Sequence, residues 1–210
     1  MGSLAFLGFS FVTAWGRAAP FDPGAIAVDV GLFTAFATHH SVFAREPVQR
    51  WLMRLIPQRL LRSAYVWLAS LLLILLCAAW RPVGGEAYHV RGWLGLVHAA
   101  LQLAGVAIIV SAVRAIDALE LAGIRPLAEA GALQMAGPYG WVRHPLYLGW
   151  LLATFGPAHM TGDRLTFSGI AAIYLLIAVP FEERSLARVS GEQYERYRKR
   201  VRWRVVPYVY

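Results

Sequence analysis

Cysteine is almost missing: Cys77 is the only one among 210 residues. A single thiol cannot close a disulfide within the chain, and it cannot build a Cys-based zinc site. Charge is also scarce. Asp, Glu, Lys and Arg make up 15% of the chain, against roughly a quarter in soluble domains. Acidic residues are the scarcer sign, 12 against 20 Lys and Arg, which leaves a formal net charge of +8. With so little charge and 13% aromatic residues, the chain has the wrong composition for disorder. What replaces the charge is apolar: 58% of residues are hydrophobic and the mean hydropathy is +0.51. An ordinary soluble globule is excluded on that ground, and the length suits one domain. A charge of +8 alone would suit nucleic acid. In a chain this apolar it suits the basic cytoplasmic loops of a membrane protein, so the expected partner is a lipid bilayer and no nucleic acid.

A helix of about twenty apolar residues spans a bilayer. Segments 25–44, 63–80, 92–113 and 165–181 meet that length, the first interrupted by Asp29 and His39–His40. Segments 2–15 and 145–158 are shorter. No basic stretch precedes 2–15 and the next segment is also hydrophobic, so it reads as a retained helix and not as a cleaved signal. Six spans with an inside N-terminus put sixteen of the twenty basic residues on one side, among them Arg45, Arg50, Arg114, Arg143 and the eight from Arg184 to Arg204. That asymmetry is the positive-inside pattern. If 2–15 is re-entrant or peripheral, five spans remain in the same orientation. Segment 46–60 mixes Arg with Trp, Leu and Met and reads as an amphipathic helix on the cytoplasmic interface. Segment 191–200 is polar and helix-prone, either a solvated tail or a lid. The expected fold is therefore an all-α integral membrane domain over 1–210, with five to six transmembrane helices, a cytoplasmic amphipathic helix and a C-terminal cytoplasmic helix.

The most informative stretch is Gly137-Pro-Tyr-Gly-Trp-Val-Arg-His-Pro-Leu-Tyr-Leu-Gly149. Pro145 suits a first helical turn, where its missing N–H costs nothing. Arg143 and His144 then stand at a helix N-terminus, where free N–H groups and the helix dipole attract anions. Tyr139 and Tyr147 flank them. Gly149, one turn in, lets a ligand or a neighbouring helix approach closely. The second stretch is Glu182–Glu183, which ends an apolar run without other charge. From Pro145 the chain runs out for about 14 residues, turns, and returns for about 17, at 1.5 Å per helical residue. Such a hairpin brings the two carboxylates back to the level of Arg143 and His144. Ionisable groups gathered at a membrane edge mark a functional site; the plainer reading is an interfacial salt bridge capping the hairpin.

The GPY-x-x-x-RHP-x-Y-x-G segment followed by a Glu-Glu pair resembles the membrane methyltransferases of the isoprenylcysteine carboxyl and phospholipid methyltransferase superfamily. Ile116-Asp-Ala-Leu-Glu-Leu-Ala-Gly-Ile-Arg125, His40-Ser-Val-Phe-Ala-Arg45, Arg62-Ser-Ala-Tyr65 and Met160–Thr161 are more similar to the bacterial methanethiol S-methyltransferases. The chain departs from them at Ala118–Leu119 and at Pro126. The resemblance implies S-adenosylmethionine as cofactor, held by the half 116–210 behind the spans of 1–115. It also implies a small-molecule or lipid-like acceptor, no metal, and a bacterial inner membrane with the site and C-terminus facing the cytoplasm. Under it, Arg143 pairs with the cofactor's carboxylate. Glu182 or Glu183 accepts from its ammonium or ribose, and Tyr139 or Tyr147 faces its sulfonium. His144 donates to its carboxylate or adenine. Methyl transfer then needs alignment more than acid–base power.

Further signals are weaker. Asp29 and His40 lie about three turns apart on one face of their span. His40 is the catalytic candidate, to take a proton from a thiol acceptor; the plainer reading is an interhelical hydrogen bond. His98 and Gln102 read as packing, and Trp80, Tyr88 and Trp93 as an interfacial belt. The final segment 202–210 either folds back on the site or anchors at the interface. Within the superfamily, a prenylcysteine-type carboxylate or a phospholipid amine is the alternative acceptor. Outside it stand an NADPH-dependent membrane sterol-type reductase, which shares RHP-x-Y-x-G and a terminal Pro-Tyr-x-Tyr but is much longer, and a non-catalytic membrane protein.

Overall fold

A computed structural model describes residues 2–43, 45–116 and 133–210. The chain is mostly helical. Its elements are α1 (Gly2–Val12), α2 (Pro23–Val42), α3 (Glu46–Leu52), α4 (Gln58–Ala79), β1 (Glu86–His89), α5 (Gly92–Ala115), a 3₁₀ turn (Gly137–Gly140), α6 (Pro145–Phe155), β2 (His159–Thr161) and α7 (Gly162–Arg200). Strands β1 and β2 pair with each other. Contacts divide the chain into two compact units. One holds Met1–Tyr88 and His159–Ile170; the other holds 89–116, 133–158 and Ala171–Tyr210 among the described residues.

Helices α5 and α7 are long and apolar enough to cross a membrane, and Gly2–Ala14, Ser63–Ala79 and Pro145–Phe155 are shorter apolar helices. Their surfaces carry large apolar side chains: Trp67 is 78% exposed on α4, and Leu96 and Leu103 are about 70% exposed on α5. Faces this apolar are not left to water, and the chain is a membrane protein.

The sequence expects one amphipathic helix over 46–60, and here the structure differs. α3 stops at Leu52 and α4 starts at Gln58, with Pro57 in extended backbone at the junction. Proline cannot donate into a helix and disfavours helical backbone before it, so it starts α4 instead of continuing α3. The polar segment 191–200 is helical, as expected: α7 runs through Glu182 and Glu183 without a loop, loses helical backbone at Gly191, whose φ of 48° favours a residue without Cβ, and continues as helix to Arg200.

In the first unit, Trp15, Trp80, Phe33 and Phe11 surround Phe167 with ring centroids 5.0–6.1 Å away. Two buried charged residues of early α7 tie this core together. Asp163 accepts from Trp80 Nε1 at 2.8 Å and from the Val83 and Gly84 N–H groups. Arg164 donates to the last carbonyls of α1, Phe11 and Val12, and to His159 O. Those carbonyls have no partner within α1, so the guanidinium caps the helix. Glu86 and His159 pair at 2.9 Å beside the strands.

In the second unit, α6 packs on α5 almost backbone to backbone. A Cβ on Gly149 would lie 2.8 Å from Gly105 O and 2.7 Å from Ile109 Cγ1, and one on Gly105 would lie 2.5 Å from Ala153 N. His98 Nδ1 lies 3.1 Å from Gly156 O, and Gln102 donates to Ala153 O, so this polar pair binds the helices together. Gly149→Ala is expected to push the helices apart at a cost of about 1–3 kcal/mol. A fall in the thermal midpoint of the detergent-solubilised protein checks this, and an unchanged midpoint would contradict the close crossing.

Candidate functional site

Pro145 opens α6, with His144 at the N-cap in non-helical backbone. On the returning helix, Glu182 and Glu183 come level with this N-terminus, as the hairpin lengths predict. Arg143, His144, Tyr147, Glu182 and Glu183 form one connected cluster. Arg143 Nε donates to Glu183 Oε1 at 2.7 Å, and its Nη1 donates to Val201 O and Arg202 O, both at 2.8 Å. Arg204 Nε meets Glu183 Oε2 at 3.2 Å. Both Arg143 and Glu183 are buried, each under 9% exposed. Burial alone would raise the Glu183 carboxyl, but the contacts with His144, Arg143 and Arg204 outweigh it and hold it at about 2.

Glu182 is different. Its side chain is half-exposed, accepts from the Tyr147 hydroxyl, and lies 3.3 Å from His144 Nδ1. The His144 and Tyr147 rings stack with centroids 5.4 Å apart. His144 is buried, which disfavours its charged form, yet the two carboxylates prevail and raise its pKa. Burial, and then the Glu182 charge, push the Tyr139 hydroxyl up to about 12. The cluster thus has a buried, fully engaged anion at Glu183 and an accessible carboxylate at Glu182 beside Tyr147 and His144.

The C-terminal segment folds back on the site. Arg143 N donates to Trp203 O at 2.9 Å and His144 N to Arg204 O at 2.8 Å. The N–H groups of Arg143 and His144, just ahead of the helix, are thus taken by the tail's carbonyls. The fold-back also changes the reading of Arg143, whose Nε and Nη1 are committed to Glu183 and the tail. At Gly149 it is the neighbouring helix that approaches closely, since α5 fills the space beside it.

Residues the sequence reading missed complete the cluster. Arg204 is one. Tyr194 and Tyr197, on the last turns of α7, are others. Tyr197 donates to Tyr139 O at 2.8 Å and so pins the 3₁₀ turn. The Tyr194 hydroxyl is buried beside the Glu183 carboxylate, without a hydrogen bond of good geometry among the described residues. His144 Nε2 also lacks one, since Glu183 Oε1 at 3.5 Å is only an ion-pair contact. Buried polar atoms are rarely left unsatisfied in a native protein, so these two suit a polar ligand or a water. The Tyr pair, two aromatics three residues apart in a polar helix, was the signal available in the sequence.

His40 belongs to the first unit. It is exposed, its Nδ1 lies 2.9 Å from the Tyr65 hydroxyl, and the two rings stack. Asp29 is buried and accepts from Arg81 N at 2.9 Å. The expected Asp29–His40 face therefore divides into one buried and one exposed residue with separate partners. The stretch 117–126, which carries part of the family resemblance, lies outside the described residues.

The titration of the cluster sets a pH dependence. His144 binds its proton more tightly folded than unfolded. Its stabilisation is complete below its ordinary value of 6.5 and is lost as pH rises through the raised folded value. Glu183 stabilises above its ordinary 4.5 and loses this as pH falls towards 2. The thermal midpoint should peak between those ordinary values and fall on both sides, and Glu183→Gln should flatten the acid limb. A midpoint unaffected by pH from 4 to 8 would contradict this.

Comparison with known proteins gives a consistent set of relatives. The chain is 36% identical over 186 residues to a methanethiol S-methyltransferase of Crocosphaera subtropica, covering 84% of this chain and 73% of that protein. It is 38% identical over 187 residues to one from Mycobacterium tuberculosis, covering 84% and 76%. It is 34% identical over 188 residues to one from Pseudomonas deceptionensis, covering 85% and 72%. No family model and no solved structure matches the chain.

Proposed function

The chain belongs to the methanethiol S-methyltransferase family and is a membrane methyltransferase, and we propose that it methylates a small thiol of the methanethiol class with S-adenosylmethionine as donor. The relatives' names support the acceptor. The donor is supported by one observation above others: Glu182, a half-exposed carboxylate held by the Tyr147 hydroxyl and close to the stacked His144 ring. That set fits a ligand with an ammonium, a sulfonium and several hydroxyls.

When bound, S-adenosylmethionine supplies a methyl on a cationic sulfur, and its transfer to a thiol leaves a thioether, S-adenosylhomocysteine and a proton. Glu182 accepts from the ligand's ammonium or ribose. Tyr147, donating to Glu182, fixes that carboxylate and presents its ring with Tyr139 to positive charge. His144 Nε2 and the Tyr194 hydroxyl offer polar contacts from the buried side. Arg143 holds Glu183 and the tail in place, which also excludes water and aligns the reactants. His40 stays a candidate for the thiol proton on its sequence position alone. The proposed topology has five to six spans in a bacterial inner membrane, with this cluster on the cytoplasmic side; the one-sided distribution of basic residues supports it.

The test is a thermal shift of the detergent-purified protein with S-adenosylhomocysteine or NADPH, each added alone. A ligand that binds only the folded state raises the midpoint. Stabilisation by S-adenosylhomocysteine and not by NADPH is expected. The reverse would overturn the reading.

A further inference from the structure

One face of α7 is built like a lipid. Ile173, Ile177, Phe181, Arg184 and Arg188 recur at intervals of four, four, three and four residues, which places them in one row along the helix. The first three are exposed, Ile173 and Ile177 by about 60% and Phe181 by 47%. They continue the apolar run of the helix to its end. There the row changes character: Arg184 lies over the Phe181 ring, 4.8 Å from its centroid, and Arg188 follows one turn later. Phe181, Arg184, Ala187 and Arg188 border a shallow open groove. Among the described carboxylates none forms an ion pair with either guanidinium, although ion pairs hold other arginines further along the helix.

We propose that this face binds one anionic glycerophospholipid, with its phosphate at Arg184 and Arg188 and an acyl chain along Ile177 and Ile173. Guanidinium groups match phosphate oxygens in paired hydrogen bonds. Two adjacent cations that no described carboxylate pairs with call for a ligand of net negative charge. A zwitterionic lipid would bring its own cation to the same place. Free phosphate would leave the apolar half of the row uncovered. The position, where the apolar run gives way to arginines, is where headgroups lie in a bilayer. Nothing in this depends on the methyl donor or acceptor.

Native mass spectrometry of the full chain released from mixed micelles tests it. The micelles carry phosphatidylglycerol and phosphatidylcholine of matched acyl chains in equal amounts. One retained phosphatidylglycerol per chain is expected, in at least tenfold excess over phosphatidylcholine. The double variant Arg184→Gln/Arg188→Gln should lose that excess. The double variant Arg196→Gln/Arg198→Gln, which removes the same charge from arginines already paired with Glu192 and Glu195, should keep it. Ile177→Gln, acting on the acyl half, should reduce retention of the lipid with the arginines intact. Equal retention of the two lipids, or an undiminished excess in the Arg184/Arg188 variant, would overturn the proposal. So would displacement of the lipid by inorganic phosphate alone, or a change of oligomeric state in place of lipid loss.

Discussion

Glu183→Ala is expected to destabilise the protein by about 3–5 kcal/mol, the usual cost of removing one partner of a buried ion pair. The Arg143 guanidinium is buried and would keep only carbonyl partners. Arg204 would lose its carboxylate as well, and with it a contact holding the tail against Arg143 and His144. The tail, the N-terminus of α6 and the middle of α7 should loosen together. Denaturation of wild type and variant in the same detergent measures this, with faster amide exchange at Arg143 and His144 as the local sign. Glu183→Gln keeps the shape and should fall between the two. A loss in Glu183→Ala smaller than about 1 kcal/mol, the scale of an exposed ion pair, would contradict the buried network.

Glu182→Gln should act on catalysis and leave stability nearly alone. Its side chain is half-exposed, and Glu183 stays in place to face the buried His144 when the Glu182 charge is removed. Losing one hydrogen bond to a charged group costs about 1.5–3 kcal/mol, which is about a 10–100-fold rise in KM for S-adenosylmethionine at 1.4 kcal/mol per tenfold. Tyr147→Phe, which releases Glu182 from its hydroxyl partner, should move KM in the same direction by less. Steady-state rates at varied donor and saturating thiol separate KM from kcat. An unchanged KM for the donor in Glu182→Gln would remove Glu182 from the binding site.

The long elements were legible because their signal is additive. α5 and the 165–181 stretch of α7 show as apolar runs, and the hairpin of α6 and α7 follows from counting residues at a fixed rise. That count alone placed Glu182 and Glu183 level with Arg143 and His144. Less legible was the difference between the two carboxylates. Adjacent residues on a helix point about 100° apart, and nothing in Glu-Glu says which one turns inward. His39 and His40 pose the same problem, one buried and one exposed. The fold-back of 201–204 onto Arg143 and His144 was hidden for another reason. Its bonds run between main-chain groups, which every sequence has, so the segment could be noticed but not placed. The short pairing of β1 with β2 leaves no alternating pattern to read. Pro57 did announce the start of α4, but the amphipathic pattern on both sides of it concealed the break.

The most direct measurement is headspace gas chromatography over the purified protein reconstituted in lipid, supplied with methanethiol and with S-adenosylmethionine carrying a deuterated methyl group. Dimethyl sulfide with one deuterated methyl should accumulate, matched mole for mole by S-adenosylhomocysteine, and should fall sharply at limiting donor in Glu182→Gln. Labelled product at equal rates in wild type and Glu182→Gln at limiting donor, or no labelled dimethyl sulfide from a folded wild-type protein that binds S-adenosylhomocysteine, would contradict it.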